Sequence, residues 1–386
     1  MKLEHGSKLT EIGPIPEDWE TKRLKEIAPI ATGNTPPTND ATNYGDEFLF
    51  VGPVDMGDSK FITTTEKMLS KKGFAKSRQF PEGAILFVCI GSTIGKCGIA
   101  ATKLTSNQQI NAIFPSTNFS NEFLFYAVSF AAPRIKAQAG EQAVPLVNKT
   151  QFSETLIAVP PLREQRAIAQ ALGDVDALID ALDRLIAKKR DIKQASMQQL
   201  LTGKTRLPGF SGKWEVKQLG DVVQIKKGQL ITSSTLKQGD IPVIAGGKQP
   251  AYYHASANRF GRTITISASG ASAGYVALYN YPIFASDCST ISESGSYSLD
   301  FIYYQLLSMQ QTIYKSQTGG AQPHIHAKDL TPLKALVPSM PEQVAIAAVL
   351  SDMDAELTAL EARRDKTRTL KQGMMQELLT GKTRLT

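Results

Sequence analysis

Residues 159–207, VPPLREQRAIAQALGDVDALIDALDRLIAKKRDIKQASMQQLLTGKTRL, return at 337–385 as VPSMPEQVAIAAVLSDMDAELTALEARRDKTRTLKQGMMQELLTGKTRL. The shift is a constant 178 positions without a gap, and the closing Leu-Leu-Thr-Gly-Lys-Thr-Arg-Leu is verbatim. A fold that uses one segment twice must offer it two equivalent places, so a duplicated architecture with pseudo-two-fold symmetry follows. The repeat reaches further. Trp19-Glu20 matches Trp214-Glu215 at a shift of 195, and the Gly91/Gly95 turn matches Gly270/Gly274 at a shift of 179. The first globular segment therefore carries about 16 extra residues between its Trp and its Gly pair. The terminal Arg384-Leu385-Thr386 is similar to Lys8-Leu9-Thr10, which suggests a cyclic arrangement with neighbouring ends.

Beyond Pro160 and Pro161, apolar residues recur at Ile168, Leu172, Val175, Ile179, Leu182 and Ile186, in alternating steps of four and three. Proline is tolerated only in the first helical turn, and this spacing is a heptad stripe. The second copy has Ile346, Leu350, Met353, Leu357 and Leu360 at the same steps. The two stripes are expected to pack on each other as an antiparallel coiled coil, each helix about 39 residues and close to 58 Å long. Acidic residues early and basic residues late suit the helix dipole, and Gly203 and Gly381 suit its stop position. A packing stripe needs only apolar character, yet both copies keep Glu-Gln (Glu164-Gln165, Glu342-Gln343) and Asp-x-Asp (Asp174, Asp176; Asp352, Asp354). Two matching polar surfaces could dock two copies of one partner.

The segments between alternate short apolar runs with Gly, Asn, Ser and Thr turns. Phe48–Val51, Ala84–Val88, Thr263–Ile266 and Tyr275–Leu278 are expected strands, and short helices are expected over Asn121–Phe130 and Leu299–Met309. The fold class is thus α+β: two mixed, strand-rich domains (1–158 and 208–336) joined by two helical spacers (159–207 and 337–386).

No apolar run approaches the roughly 20 residues that span a bilayer, and the first residues lack a signal-peptide core, so a cytoplasmic address is expected. Cys89, Cys97 and Cys288 lack Cys-x-x-Cys spacing and are expected as reduced, mostly buried thiols; no metal and no cofactor is expected. Gly203-Lys204-Thr205 and Gly381-Lys382-Thr383 resemble the end of a P-loop. That motif needs another glycine where Gln198 and Gln376 stand, and these copies follow helices instead of opening them. His324, His326 and His254 form no convincing ligand set, and no Gly-x-Ser-x-Gly elbow occurs. The formal charge of +7 favours a polyanionic partner. In 1–158 basic and acidic residues balance, so a nucleic-acid surface there must come from local clustering, as at Lys67, Lys71, Lys72, Lys76 and Arg78.

In these features the chain resembles the specificity subunits of type I restriction–modification systems. The resemblance spans essentially the whole chain. It rests on Pro-Pro-Leu-Arg-Glu-Gln at 160–165 and its echo at 338–343, the Trp-Glu openings, Gly33-Asn-Thr-Pro36, the paired glycine turns, Asn107-Gln108 and the repeated helix endings. The second copy departs at Ser339-Met340 and has Asp287-Cys288 where the first has Asn107-Gln108.

The resemblance implies two target-recognition domains, each reading half of a split double-stranded DNA site. It also implies helices that set the spacing and bind two copies of a modification (methyltransferase) subunit, with restriction subunits joining through the complex. This chain would be a reader and not a catalyst. Affinity needs cations at phosphates, and specificity needs amides or guanidiniums at base edges. The candidates are Asn34, Thr35, Asn39, Lys67, Lys71, Lys72, Lys76 and Arg78 in the first domain. In the second they are Lys226, Lys227, Gln229, Lys248, Gln249, Tyr252, His254, Arg259 and Arg262. Half-site centres about one helical turn apart, roughly 34–36 Å, are expected. Partner docking is expected at Glu164, Gln165, Asp174, Asp176, Glu342, Gln343, Asp352 and Asp354.

Overall fold

Both heptad stripes fold as expected: the long helices run Leu162–Leu200 and Met340–Leu378, 39 residues each. The computed structural model describes residues 6–57, 59–140, 143–231, 237–319 and 322–385. It divides into two compact units, one of residues 1–181 with 364–386 and the other of 182–363. Each long helix contributes one part to each unit, which is the cyclic arrangement the repeated ends anticipate. Ile168, Leu172, Ile179, Leu182, Ile186, Ile346, Leu350 and Leu357 are buried, while Val175, Met353 and Leu360 are partly covered.

Polar pairs fix the sense of the helix packing. In the first unit Asp176 meets Lys371 at 2.5 Å. In the second, Lys189 meets Glu356 at 2.7 Å and Lys193 meets Asp354. Residue numbers rise on one helix as they fall on the other, so the strands of the coil are antiparallel. Each helix stops where expected, at Gly203 with φ +68° and Gly381 with φ +73°, a left-handed backbone that favours glycine. The P-loop-like Gly-Lys-Thr segments are therefore helix terminators, packed by their glycines against Trp214 and Trp19.

The first unit holds two five-stranded sheets. One runs in the order Ile30–Thr32, Ile110–Ile113, Ile85–Val88, Cys97–Ala100, Phe61–Ile62, and the other Tyr44–Gly45, Lys67–Leu69, Phe48–Val51, Leu104–Ser106, Gln79–Phe80. Helix Asn121–Lys136 adds Phe123, Leu124, Tyr126, Val128 and Ile135 to the core that Trp19 and Phe152 also fill. It outruns the expected Asn121–Phe130 and carries Pro133 in its last turn, where the missing N–H removes one helical bond but the carbonyl still accepts from the Ala137 amide.

Among the described residues the second unit repeats this plan with fewer strands. Lys226–Lys227, Cys288–Ser292, Thr263–Ser267 and Val276–Tyr279 form one sheet, Tyr252–His254, Ile241–Ile244 and Phe284–Ala285 the other, and Leu299–Ser308 is the core helix. In both units the second sheet contains one parallel pair, Phe48–Val51 with Leu104–Ser106 and Ile241–Ile244 with Phe284–Ala285. The extra length of the first unit lies mainly in two connections, 52–66 against 245–251 and 70–84 against 255–262. The second of these carries helix Lys71–Lys76, which has no counterpart among the described residues of the other unit.

Candidate nucleic-acid interface and the latches that support it

The repeated polar residues of the long helices turn inward. Glu164 is buried and accepts hydrogen bonds from Trp19 Nε1 at 3.0 Å, Arg384 Nε at 2.8 Å, Arg384 Nη2 at 2.9 Å and the Leu385 amide at 3.1 Å. Arg384 also grips Asp18 with both terminal nitrogens, at 2.9 and 2.6 Å, and lies over the Trp19 ring. In the second unit Glu342 accepts from Arg206 Nε at 2.5 Å, Arg206 Nη2 at 2.7 Å and Trp214 Nε1 at 3.2 Å. Burial pushes the Glu164 carboxyl up, but Arg384, the Leu385 amide and the Trp19 indole outweigh it, and the net shift is downward.

Gln165 and Gln343 are equally committed. Each side chain accepts from the backbone amide of the serine whose hydroxyl caps the core helix, Ser120 or Ser298, and donates to the carbonyl of Pro160 or Pro338. Asp176 and Asp354 accept from the hydroxyls of Tyr126 and Tyr304, at 2.6 and 2.8 Å. Burial first, then the neighbouring carboxylate, raises both phenol pKa values above the ordinary range. Glu164, Gln165, Glu342 and Gln343 are thus corrected from docking residues to internal latches, because an enclosed carboxylate needs its donors inside the fold. Asp176 and Asp354 are half covered by these same contacts, while Asp174 and Asp352 are exposed. The signal for the missed partners was in the sequence, since Arg206/Arg384, Tyr126/Tyr304 and Ser120/Ser298 all recur at 178.

In the first unit the structure draws most of the basic cluster to one place. Asn34 donates to the Lys76 carbonyl at 3.2 Å and accepts from the Arg78 amide at 2.6 Å, and Thr35 donates to Gln108 Oε1 at 2.7 Å. The loop lies close because Gly33 presses on Ser106 and Asn107, where any Cβ would overlap. Lys72 and Lys76 both reach the Asp40 carboxylate, at 2.9 and 3.4 Å, and Thr42 completes its shell. The Thr42 hydroxyl and the Lys72 ammonium hold the Asp40 carboxyl well below the usual carboxylate range. Arg78 donates to the Thr32 carbonyl, while Lys67, Lys71 and Asn39 are exposed nearby in the chain. Asp40 and Gln108 are participants that charge counting passed over.

In the second unit several candidates have other work. His254 is buried, edge-on to Phe284 with ring centroids 5.0 Å apart, and its Nδ1 accepts from the Lys237 amide at 3.0 Å. Arg259 donates to Thr290, to the Asn258 carbonyl and to the Lys227 carbonyl. Arg262 grips both oxygens of Asp300 and also reaches Asn280. His254 is thereby corrected from a DNA candidate to a scaffold residue, while Arg259 and Arg262 are half-buried and held by these acceptors. Lys226, Lys227, Gln229, Lys248, Gln249 and Tyr252 remain exposed. Lys248 lies over the Tyr275 ring.

Hydrogen bonding also corrects the alignment of the two halves. Gly33 donates to the carbonyl of Ile110 and Gly228 to that of Cys288, and Thr32 pairs Asn111 as Lys227 pairs Ser289. The Asn107 amide donates to the Val51 carbonyl as the Ser286 amide does to that of Ile244, so Asn107 corresponds to Ser286 and not to Asp287. All three cysteines are free; burial raises the Cys89 thiol to about 11 and the other two to about 12. Among the described residues no group of His, Cys, Asp or Glu could hold a metal, and no helix is long and apolar enough to cross a membrane.

The family model for the type I restriction modification DNA specificity domain matches residues 16–189 and again 211–368. The MjaIX specificity subunit of Methanocaldococcus jannaschii is 28% identical over 59% of this chain and 57% of its own length. The MjaVIII specificity subunit of the same organism is 24% identical over 96% of this chain and 94% of its own. The crystal structure of a type I restriction-modification S subunit from M. genitalium aligns over 98% of both chains with a TM-score of 0.66 at 17% identity.

Proposed function

This chain belongs to the type I restriction modification DNA specificity family, with the domain present twice, and we propose from that premise that each unit reads one half of a bipartite, asymmetric DNA site. The observation that carries the reading is a contrast. The latches are reproduced nearly atom for atom in both units, whereas the loops around Asn34 and Gln229 differ in length and chemistry. Equal scaffolds with unequal surfaces suit one complex that reads two different sequences.

In the first unit the readers are Asn34, Thr35, Asn39, Lys67, Lys71, Lys72, Lys76 and Arg78. In the second they are Lys226, Lys227, Gln229, Lys248, Gln249 and Tyr252. Lysines anchor phosphates, and the amides address base edges. The long helices fix the distance between half-sites, and their exposed polar positions, Asp174 and Asp352 among them, dock two modification subunits. Those subunits supply the methyl transfer, and restriction subunits join through them, so this chain contributes recognition only. The cytoplasm is the compartment for that role.

The test is co-expression with the modification subunit and mapping of methylated adenine across the host genome by long-read sequencing. A split motif that appears only with this chain is the expected result. Assembly without a new motif would overturn the reading.

A further inference from the structure

Asp40 joins two lysines of the candidate interface. Its carboxylate is the shared acceptor of two ammonium groups, Lys72 Nζ at 2.9 Å and Lys76 Nζ at 3.4 Å, and the side chains of all three are open to solvent. A carboxylate between two lysines at these distances reproduces the charge and hydrogen bonding of a backbone phosphate oxygen. The site is built. The Asp40 carboxylate is oriented by the amide and hydroxyl of Thr42, the Thr42 carbonyl accepts from Ser70, and Ser70 caps the helix that carries both lysines. Lys76 also donates to Asn43 Oδ1 at 3.2 Å, and its carbonyl accepts from Asn34, so the cluster is tied to the reading loop.

Exposed ion pairs of this kind contribute little to stability. A phosphate can therefore displace the carboxylate at small cost, while a chance encounter with DNA meets a locally compensated surface. Helix Lys71–Lys76 has no counterpart among the described residues of the second unit, so the device belongs to the first half-site alone.

We infer that Asp40 is an internal competitor for DNA phosphate. It holds Lys72 and Lys76 in the geometry of phosphate binding and suppresses their contribution to sequence-independent binding, so that only a duplex placed by base contacts displaces it. The inference rests on the reading of the first unit as a DNA-recognition domain.

The test uses the complex assembled with its modification subunit and compares wild type with Asp40→Asn, which keeps the size of the side chain and removes its charge. Binding to a duplex lacking the mapped motif is titrated over a potassium chloride series. For Asp40→Asn the expected result is roughly three- to tenfold tighter binding to that duplex and a salt slope steeper by about 0.9. The preference for the motif falls by a similar factor. The triple variant Asp40→Asn/Lys72→Ala/Lys76→Ala should lose the gain.

Unchanged or weaker non-cognate binding by Asp40→Asn, with its melting temperature within a few degrees of wild type, overturns the inference. If Asp40→Asn melts lower, Asp40→Ser decides by the same measurement. The methylation map of the wild-type complex tests the underlying reading separately. A motif without an Asp40 effect refutes only the competitor, whereas absence of any motif refutes the reading itself.

Discussion

Replacing Glu164 by alanine leaves the Trp19 indole, the Arg384 guanidinium and the Leu385 amide without their common acceptor. A hydrogen bond to a charged group contributes about 1.5–3 kcal/mol, and breaking a buried pair by removing one partner costs about 3–5 kcal/mol. Summing every bond would overshoot, since Arg384 keeps its grip on Asp18 and is 31% exposed, where water can partly replace the carboxylate. The expected loss is therefore about 2–4 kcal/mol, or on the order of 10 °C in melting temperature for a domain of about 200 residues.

The assay is built into the chain. Its two tryptophans each sit in one latch, so Trp214→Phe leaves Trp19 as the sole tryptophan reporter, placed in the first. Urea unfolding of wild type, Glu164→Ala, Arg384→Ala and the double variant then forms a mutant cycle, with an expected coupling above about 1 kcal/mol. Coupling near zero would refute the latch. The pH dependence has a definite sign: the folded Glu164 carboxyl titrates below its ordinary 4.5, so its stabilisation is present above that pH and lost as pH falls through the folded value. Glu164→Gln should flatten that acid limb.

Gly228→Ala should destabilise the second unit by about 1–3 kcal/mol in a urea melt followed by Trp214 fluorescence, because a Cβ would overlap the Ser286 carbonyl. Changing Lys71, Lys72 and Lys76 together to Ala should flatten the salt dependence of DNA binding, the slope falling by about 0.9 for each phosphate no longer neutralised; an unchanged slope would remove these lysines from the interface. Deleting one heptad from each long helix removes about 10.5 Å of rise. The mapped motif should then have a spacer shorter by about three base pairs at about 3.4 Å each, and an unchanged spacer would refute the helices as the ruler.

Several features were legible in the sequence because they depend on periodicity and local backbone chemistry. Repetition at 178 residues announced the duplication, alternate steps of four and three announced the coil, and glycine marked both helix ends. The expected strands and core helices fall where β-branched runs and serine caps put them. Tertiary structure decided what each polar residue does, and the reason is distance along the chain. Trp19 meets Glu164 across 145 positions and Arg384 meets Asp18 across 366. A repeated Glu-Gln pair looks the same in sequence whether it faces a partner or the inside of its own domain, since only the donors arriving from remote segments determine which. The same holds for cations: Lys71, Arg259 and Arg262 carry equal charge, but Asp300 and the carbonyls of Asn258 and Lys227 occupy the two arginines, and only packing brings those acceptors within reach.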